Sequence, residues 1–157
     1  MQPEDAIQGS IANSWIQAAA SSIAKKPERL KEIFLIGEKN SANVYALKMY
    51  ALGVPITVTI DDHIPLGDDG RTIYAQVSPD GAIWGPILEK AVAKLLRNYE
   101  ALDTGSTGDA MEMLAGGPHK YLWHANITVD KLWETIYNET RNDSMITAGS
   151  FEGSDIT

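Results

Sequence analysis

The sequence contains no cysteine among its 157 residues. This absence excludes disulfides and thiolate metal sites, and it is compatible with the reducing cytosol, so we expect a cytoplasmic protein. Basic residues are also scarce, because 13 Lys and Arg stand against 21 Asp and Glu, for a net charge of −8. No basic cluster exceeds the pair Lys25-Lys26. We therefore expect no nucleic-acid partner, since such partners require concentrated positive charge.

Long apolar runs are absent as well. None approaches the length needed to span a bilayer, and the stretch Met1 to Ser10 lacks the basic and apolar regions of a signal peptide. Three N-x-S/T sequons, at Asn126, Asn138 and Asn142, are therefore interpreted as chance rather than as glycosylation sites. A chain of this length suits one compact domain with its own core, and we assign residues 1–157 to it.

Hydrophobic periodicity predicts several helices and a small sheet, an α+β fold. In the helix that begins at Trp84 we expect Glu89 and Lys90 to face solvent, and in the last helix we expect the apolar side to be buried. The predicted helices cover residues 11–26, 27–36 and 84–99, a short segment before Gly116-Gly117-Pro118, and a stretch that starts at Thr128 and buries Val129, Leu132, Trp133, Ile136 and Tyr137.

Alternating side chains predict strands from Val44 to Tyr50 and from Ile56 to Ile60, joined by a short connection. Residues 72–78 are predicted as a third strand of this antiparallel sheet, which needs helices to cover it. Met145 to Ala148 form one further possible strand. Beyond them the tail fades into small polar residues, which resemble a linker or a cut in a longer chain.

Two other sequence features suggest chemistry, and each has a simpler interpretation. "DTGS", Asp103 to Ser106, matches the loop of aspartic proteases, but that chemistry needs two copies of the loop and the sequence holds one. A helix-to-helix loop is the favoured interpretation. The three histidines, His63, His119 and His124, do not have the spacing of metal ligands. The acidic pairs Asp61-Asp62 and Asp68-Asp69 are interpreted as solvated or capping residues rather than as calcium ligands.

The stretch "QGSIANSWIQAAA" (residues 8–20) is a candidate active-site helix entrance. A nucleophile in the first turn of a helix is favoured by the positive N-terminal dipole, and an amide such as that of Gln8 can donate to an oxyanion. This arrangement suits a cysteine, whose pKa it lowers, whereas the hydroxyl of Ser14 is hardly ionised near pH 7 and needs a base. From these residues alone, Ser14 as an ordinary helix residue beside a core Trp15 remains open.

Four blocks of this sequence resemble the calpain family of cysteine proteases, in the family's order and over nearly the whole chain. Gln8-Gly9 followed by Asn13-Ser14-Trp15 resembles Q-G-x-x-G-D/N-C-W around the catalytic cysteine. "VPITVTIDDHIP" resembles a valine-rich strand ending in D-D-x-L/I-P. "IWGPILEKAVAKLLRNYEALDTGSTGDAMEMLAGGP" resembles the family's L-E-K-A block, its Y-E-A-L block and the loop that follows, which places "DTGS" in a calpain loop.

The resemblance implies the first, helical half of a papain-like protease core, with a long central helix, a small antiparallel sheet and two further long helices. Ser14 then occupies the nucleophile position and Gln8 the oxyanion position. The family's histidine and asparagine lie in a second subdomain, in the motifs G-H-A-Y/F and N-P-W-G, and neither motif occurs here. It implies protein or peptide substrates and the second subdomain as partner, and it gives none of the three histidines a catalytic role.

The resemblance also raises the question of calcium, which the family binds in this subdomain. Asp5 matches one acidic ligand, but the position of a second, a glutamate, is Ala82. Calcium prefers six to eight oxygen ligands, so we expect the site not to be retained. Ala12 also replaces the glycine two residues before the nucleophile.

Ser14 leaves two hypotheses open. In one, the chain is the first half of a calcium-dependent intracellular endopeptidase, silenced by the exchange of cysteine for serine. In the other, it is a natural pseudoprotease, an interaction or scaffold module. Both predict that this chain hydrolyses no peptide bond on its own.

Overall fold

The computed structural model describes residues 1–150. They fall in two compact units, Met1–Lys120 and a second that begins at Tyr121. No helix in this part of the chain is long and apolar enough to cross a membrane. The helices are α1 (Ser14–Ala24), α2 (Pro27–Ile33), α3 (Trp84–Leu95), α4 (Thr107–Ala115) and α5 (Val129–Arg141), and the strands are β1 (Phe34–Ile36), β2 (Val44–Ala51) and β3 (Val54–Asp61). The predicted α+β class is confirmed.

Helix α1 lies at the centre of the first unit. It begins three residues later than predicted, because the backbone N–H of Asn13 donates to Ile11 O (2.9 Å) in a turn just before the helix. Its inward face is fully buried, and the helix packs against α2 and α4. Pro27, the first residue of α2, follows closely after its end. The buried residues of this face include Ile16, Ala19, Ala20 and Ile23.

The sheet has three antiparallel strands in the order β1-β2-β3. The two predicted strands are confirmed and slightly longer than expected, and the turn between them is made by Leu52 and Gly53, both with positive φ (51° and 78°). Residues 34–36, predicted as the end of a helix, instead form β1, in which Phe34 pairs with Leu47. These residues are extended rather than helical because their backbone groups pair with the edge of β2.

The third strand predicted over residues 72–78 is wrong. This segment makes two isolated bridges, one between Gln76 and Ile7 and one between Thr72 and Leu66, and it does not join the sheet. Its backbone groups pair with the N-terminal segment instead, and that segment carries the candidate site residue Gln8. The possible strand at Met145 to Ala148 is also wrong, because that segment has no regular structure.

Helix α3 is buried on nearly all sides, and it packs on β3. Glu89, which we expected to face solvent, is 1% exposed, so that expectation is wrong.

Helix α4 has the predicted end, with Gly116 in the left-handed conformation, and Ser106 caps its start by accepting from the N–H of Asp109 (3.1 Å).

In the second unit, α5 begins where the sequence predicted. The Thr128 hydroxyl oxygen caps it by accepting from Lys131 N (3.3 Å). Its apolar side is not buried, however, since Val129 is 81% and Trp133 69% exposed, and Leu132, Ile136 and Tyr137 are half-buried or exposed. Apart from α5, residues 121–150 of this unit contain one short 3-10 turn and irregular chain, and so no second helix or strand that could cover that side.

Candidate active site

Ser14 lies at an exposed point between two buried neighbours. It is the first residue of α1, while Asn13 before it is 0% exposed and Trp15 after it is 7% exposed. The first backbone N–H groups of a helix have no partner within the helix, and the helix dipole places partial positive charge there. A side chain at position 14 therefore meets both solvent and an environment that favours negative charge.

Gln8 lies on the segment that leads towards Ser14. Its side chain is exposed, and its Nε2 donates to the backbone oxygen of Ile11 (2.7 Å), in the turn just before the helix. The two candidate residues of the sequence are thus connected through this turn. A side-chain amide carries two N–H donors, so one contact to Ile11 fixes the side chain without using its full donor capacity.

The segment that carries Gln8 is held against residues 73–76. Ser10 donates to Ile73 O from both its backbone N (3.0 Å) and its hydroxyl (2.6 Å). Between them, Gly9 lies so close to the neighbouring chain that a Cβ at this position would be 1.7 Å from Tyr74 O. Any side chain at position 9 would push the two segments apart, and Gln8 with them.

The "DTGS" loop holds the start of α1 from the other direction. Asp103 Oδ1 accepts from the backbone N of Ala12 (3.0 Å), and the indole N–H of Trp15 donates to Leu102 O (2.8 Å). A Cβ on Gly105 would lie 2.4 Å from the Trp15 ring. The loop therefore positions the helix entrance, in agreement with its interpretation as a connecting loop.

Beneath the entrance lies the buried carboxylate of Glu89. Its Oε2 accepts from the side-chain amides of Asn13 and Gln17 (3.3 Å for the latter), and its Oε1 accepts from the backbone N of Ala75 (2.9 Å). Burial raises the pKa of Glu89, and these hydrogen bonds oppose part of that increase.

Sequence reasoning missed this group because acids on helices usually face water. The indication was present, because the residues four before and three after Glu89 are Gly85 and Val92, which lie on the buried side of α3.

The histidines lie in separate places. His63 contacts Asp61 (2.9 Å) and Asp62 (3.6 Å), and these three form the only cluster of metal-type side chains within residues 1–150. Lys90 Nζ already lies 2.7 Å from Asp61 Oδ1 and holds the pKa of that carboxyl far below its ordinary range. His119 contacts Glu112 (2.8 Å). None of these contacts includes Ser14 or Gln8.

Asp5 is buried and hydrogen-bonded within its own surroundings. Its Oδ2 accepts from the indole N–H of Trp84 (2.9 Å) and from the backbone N of Gln2 (2.7 Å). Ala82 has no oxygen-bearing side chain, and its backbone N donates to Ser78 Oγ (2.9 Å). Asp5 belongs to no cluster of three metal-type side chains within residues 1–150. Of the two positions matched to calcium ligands, only position 5 therefore carries a carboxylate.

Comparison with known proteins decides the family. A family model described as calpain family cysteine protease matches residues 1–156. The chain belongs to the calpain family. Calpain-type cysteine protease DEK1 of Arabidopsis thaliana is 30% identical over 160 residues, which cover 98% of this chain. Calpain clp-1 of Caenorhabditis elegans is 31% identical over 121 residues, or 75% of the chain, and the human calpain-1 catalytic subunit is 29% identical over 116 residues, or 72%.

The matched regions are small parts of these calpains. The chain spans 7% of the length of the Arabidopsis protein, 15% of the nematode protein and 16% of the human one. Family membership applies to this chain directly, because the family model matches residues 1–156.

Proposed function

We propose that this chain is the nucleophile-bearing half of a calpain-type cysteine endopeptidase core, with Ser14 at the nucleophile position and Gln8 as oxyanion donor. The observation that carries the proposal is the exposure of Ser14 at the first residue of α1, between the buried Asn13 and Trp15, in a chain of the calpain family. The loops on both sides of this entrance are anchored by hydrogen bonds, which is what a preorganised site requires.

The chemistry of such a site assigns a separate task to each position. A thiolate at position 14 would attack a peptide carbonyl, and the helix N-terminus would favour its negative charge. The Gln8 amide, fixed by one N–H on Ile11 O, has a second N–H to offer to the oxyanion that develops. The hydroxyl of Ser14 has no such ionisation near pH 7, and a base is needed to activate it.

The base would come from a second subdomain, which we propose as the partner of this chain. In the family it carries the histidine and asparagine, and neither G-H-A-Y/F nor N-P-W-G occurs in the 157 residues. We therefore propose that this chain is inactive alone, that the complete core acts on protein or peptide substrates, and that it works in the cytoplasm.

We also propose that calcium is not held through Asp5. The Asp5 carboxylate is engaged by Trp84 and Gln2, and position 82 offers no carboxylate. Titration with calcium, followed by calorimetry, should give no binding at micromolar concentrations, and Asp5→Asn should not change the result. Tight binding that Asp5→Asn abolishes would contradict this part of the proposal.

The second candidate function is a natural pseudoprotease that serves as an interaction or scaffold module. A serine at the nucleophile position in a chain without any cysteine favours it. The gene separates the two. A serine codon at position 14, together with a downstream region lacking the histidine motif, would favour the scaffold.

The protease proposal is tested in the full-length parent. Ser14→Cys, with the second subdomain present, should produce cleavage of a protein substrate, and Gln8→Ala in the same background should reduce kcat by about 10²- to 10³-fold, the range for loss of one oxyanion donor. The 157-residue chain should give no turnover above a buffer control. Turnover by this chain, or no activity after Ser14→Cys in the parent, would refute the assignment.

A further inference from the structure

Glu89 contacts both segments of the candidate site from a single buried position. One carboxylate oxygen accepts from Asn13 and Gln17 on α1, and the other accepts from the backbone N of Ala75 (2.9 Å). The Asn13 Oδ1 atom is buried with no hydrogen-bond partner among residues 1–150. The contact with Glu89 is therefore what orients the side chain immediately before Ser14.

The contact with Ala75 reaches the other half of the site. Ala75 lies in a segment that makes two backbone hydrogen bonds with the N-terminal chain. Ile73 O accepts from the N–H of Ser10 (3.0 Å), and the N–H of Gln76 donates to Ile7 O (2.9 Å). That segment is in turn the one against which Gly9 lies. Displacing Ala75 from Glu89 would therefore move the strip of chain that carries Gln8.

We propose that Glu89 is a positioning residue, whose carboxylate fixes the start of α1 and the 73–76 segment relative to each other, and whose charge acts on the group at position 14. This rests on the proposed function, because it assigns Glu89 a role in the same site. Glu89 does not take part in the reaction itself.

The charge of this carboxylate has little compensation from its partners, since all three of its donors are neutral amides. Two phenols face the same region, Tyr74 and Tyr99, whose rings stack at 4.0 Å, and burial together with the charge of Glu89 raises the pKa of Tyr99. Tyr99 is therefore uncharged near neutral pH. The neighbouring Lys90 is paired with Asp61. An ionised Glu89 therefore opposes the formation of a second negative charge at position 14.

The test uses Ser14→Cys, which creates the single thiol of the chain, as a probe. Glu89→Gln keeps the shape of the side chain and removes its charge, and Glu32→Gln, at an exposed acid on α2, is the matched control. The thiol pKa is read from the pH dependence of alkylation by iodoacetamide. Glu89→Gln should lower it by about 0.2 unit, the scale expected for a single charge that acts without direct contact through a high effective dielectric constant. Glu32→Gln should leave it unchanged.

A purely structural role would lower the melting temperature without moving the thiol pKa, and that result would overturn the proposal. A different result would contradict the proposed function. In that case the thiol at position 14 would have the pKa of an ordinary exposed thiol, while Glu89→Gln would still shift that pKa.

If Glu89→Gln does not fold, the unaltered chain is titrated by NMR. The amide signals of Asn13, Gln17, Ala75 and Ser10 should then follow one midpoint above the ordinary glutamate range. Separate midpoints, or no change in the amide of Ser10, would also overturn the proposal.

Discussion

Ser14→Cys tests whether the start of α1 is electrostatically suited to a thiolate. The substitution changes one atom at an exposed position, and it introduces a unique thiol because the chain has no cysteine. A helix N-terminus stabilises a nearby negative charge, so the thiol pKa should lie below the ordinary value of about 8.5.

The exposure of position 14 sets the size of the effect. Helix-dipole interactions at exposed sites contribute about 0.3–1 kcal/mol, which corresponds to a pKa lowered by about 0.2–0.7 units. At pH 7 the thiolate fraction should then be about 1.5- to 5-fold that of an ordinary thiol. The buried charge of Glu89 acts in the opposite direction, so the lowering of the thiol pKa should be near the small end of this range while Glu89 is ionised.

The assay is the rate of alkylation by iodoacetamide from pH 6 to 10, followed by mass spectrometry. The control is Ser41→Cys, which places a thiol at an exposed turn before β2, away from any helix start. The inflection gives each pKa directly, which matters because a lower pKa also makes each thiolate less nucleophilic. A thiol at position 14 with a pKa equal to or above that of the control would refute the argument.

Three further predictions test the structural reasoning. Gly105→Ala should lower the stability by about 1–3 kcal/mol, because its Cβ would lie 2.4 Å from the Trp15 ring, whereas Gly117→Ala, with no atom within 4 Å, should leave the melting temperature unchanged. Leu52→Asn should raise the melting temperature, since this exposed residue has φ of 51° in a turn that favours Asn-Gly; a lower value would contradict the turn assignment. Burial raises the pKa of Glu89, so the folded chain keeps a proton that the unfolded chain loses above about pH 4.5. The free energy of unfolding in urea should therefore fall for the wild type, relative to Glu89→Gln, as the pH increases above that value. A difference that does not depend on pH would show that the pKa is not raised.

Part of the candidate site follows from local sequence. Gln8, Gly9 and Ser14 stand at spacings that predict a helix entrance with a tight backbone approach, and the structure places them at such an entrance. Their catalytic roles remain predictions. The anchoring of this entrance did not follow from local sequence, because the contact between Asp103 and Ala12 joins residues 91 positions apart.

The sequence by itself determined the elements whose hydrogen bonds and side-chain period are local. Helix α4 with its end at Gly116, the start of α5 at Thr128, and the β2-β3 pair all follow from residues within a few positions of one another. Such signals need no knowledge of distant chain, since a helix cap or a hairpin turn is complete within about four residues.

Only the tertiary structure decided which polar group is buried and which apolar side is not. Glu89 is buried because α1 brings amide donors from positions up to 76 residues away, and a lone helix pattern gives no indication of those donors. Residues 72–78 left the sheet because the N-terminal segment offered them other partners. The apolar side of α5 stayed exposed for the converse reason, since periodicity specifies a face and burial requires a second surface to cover it.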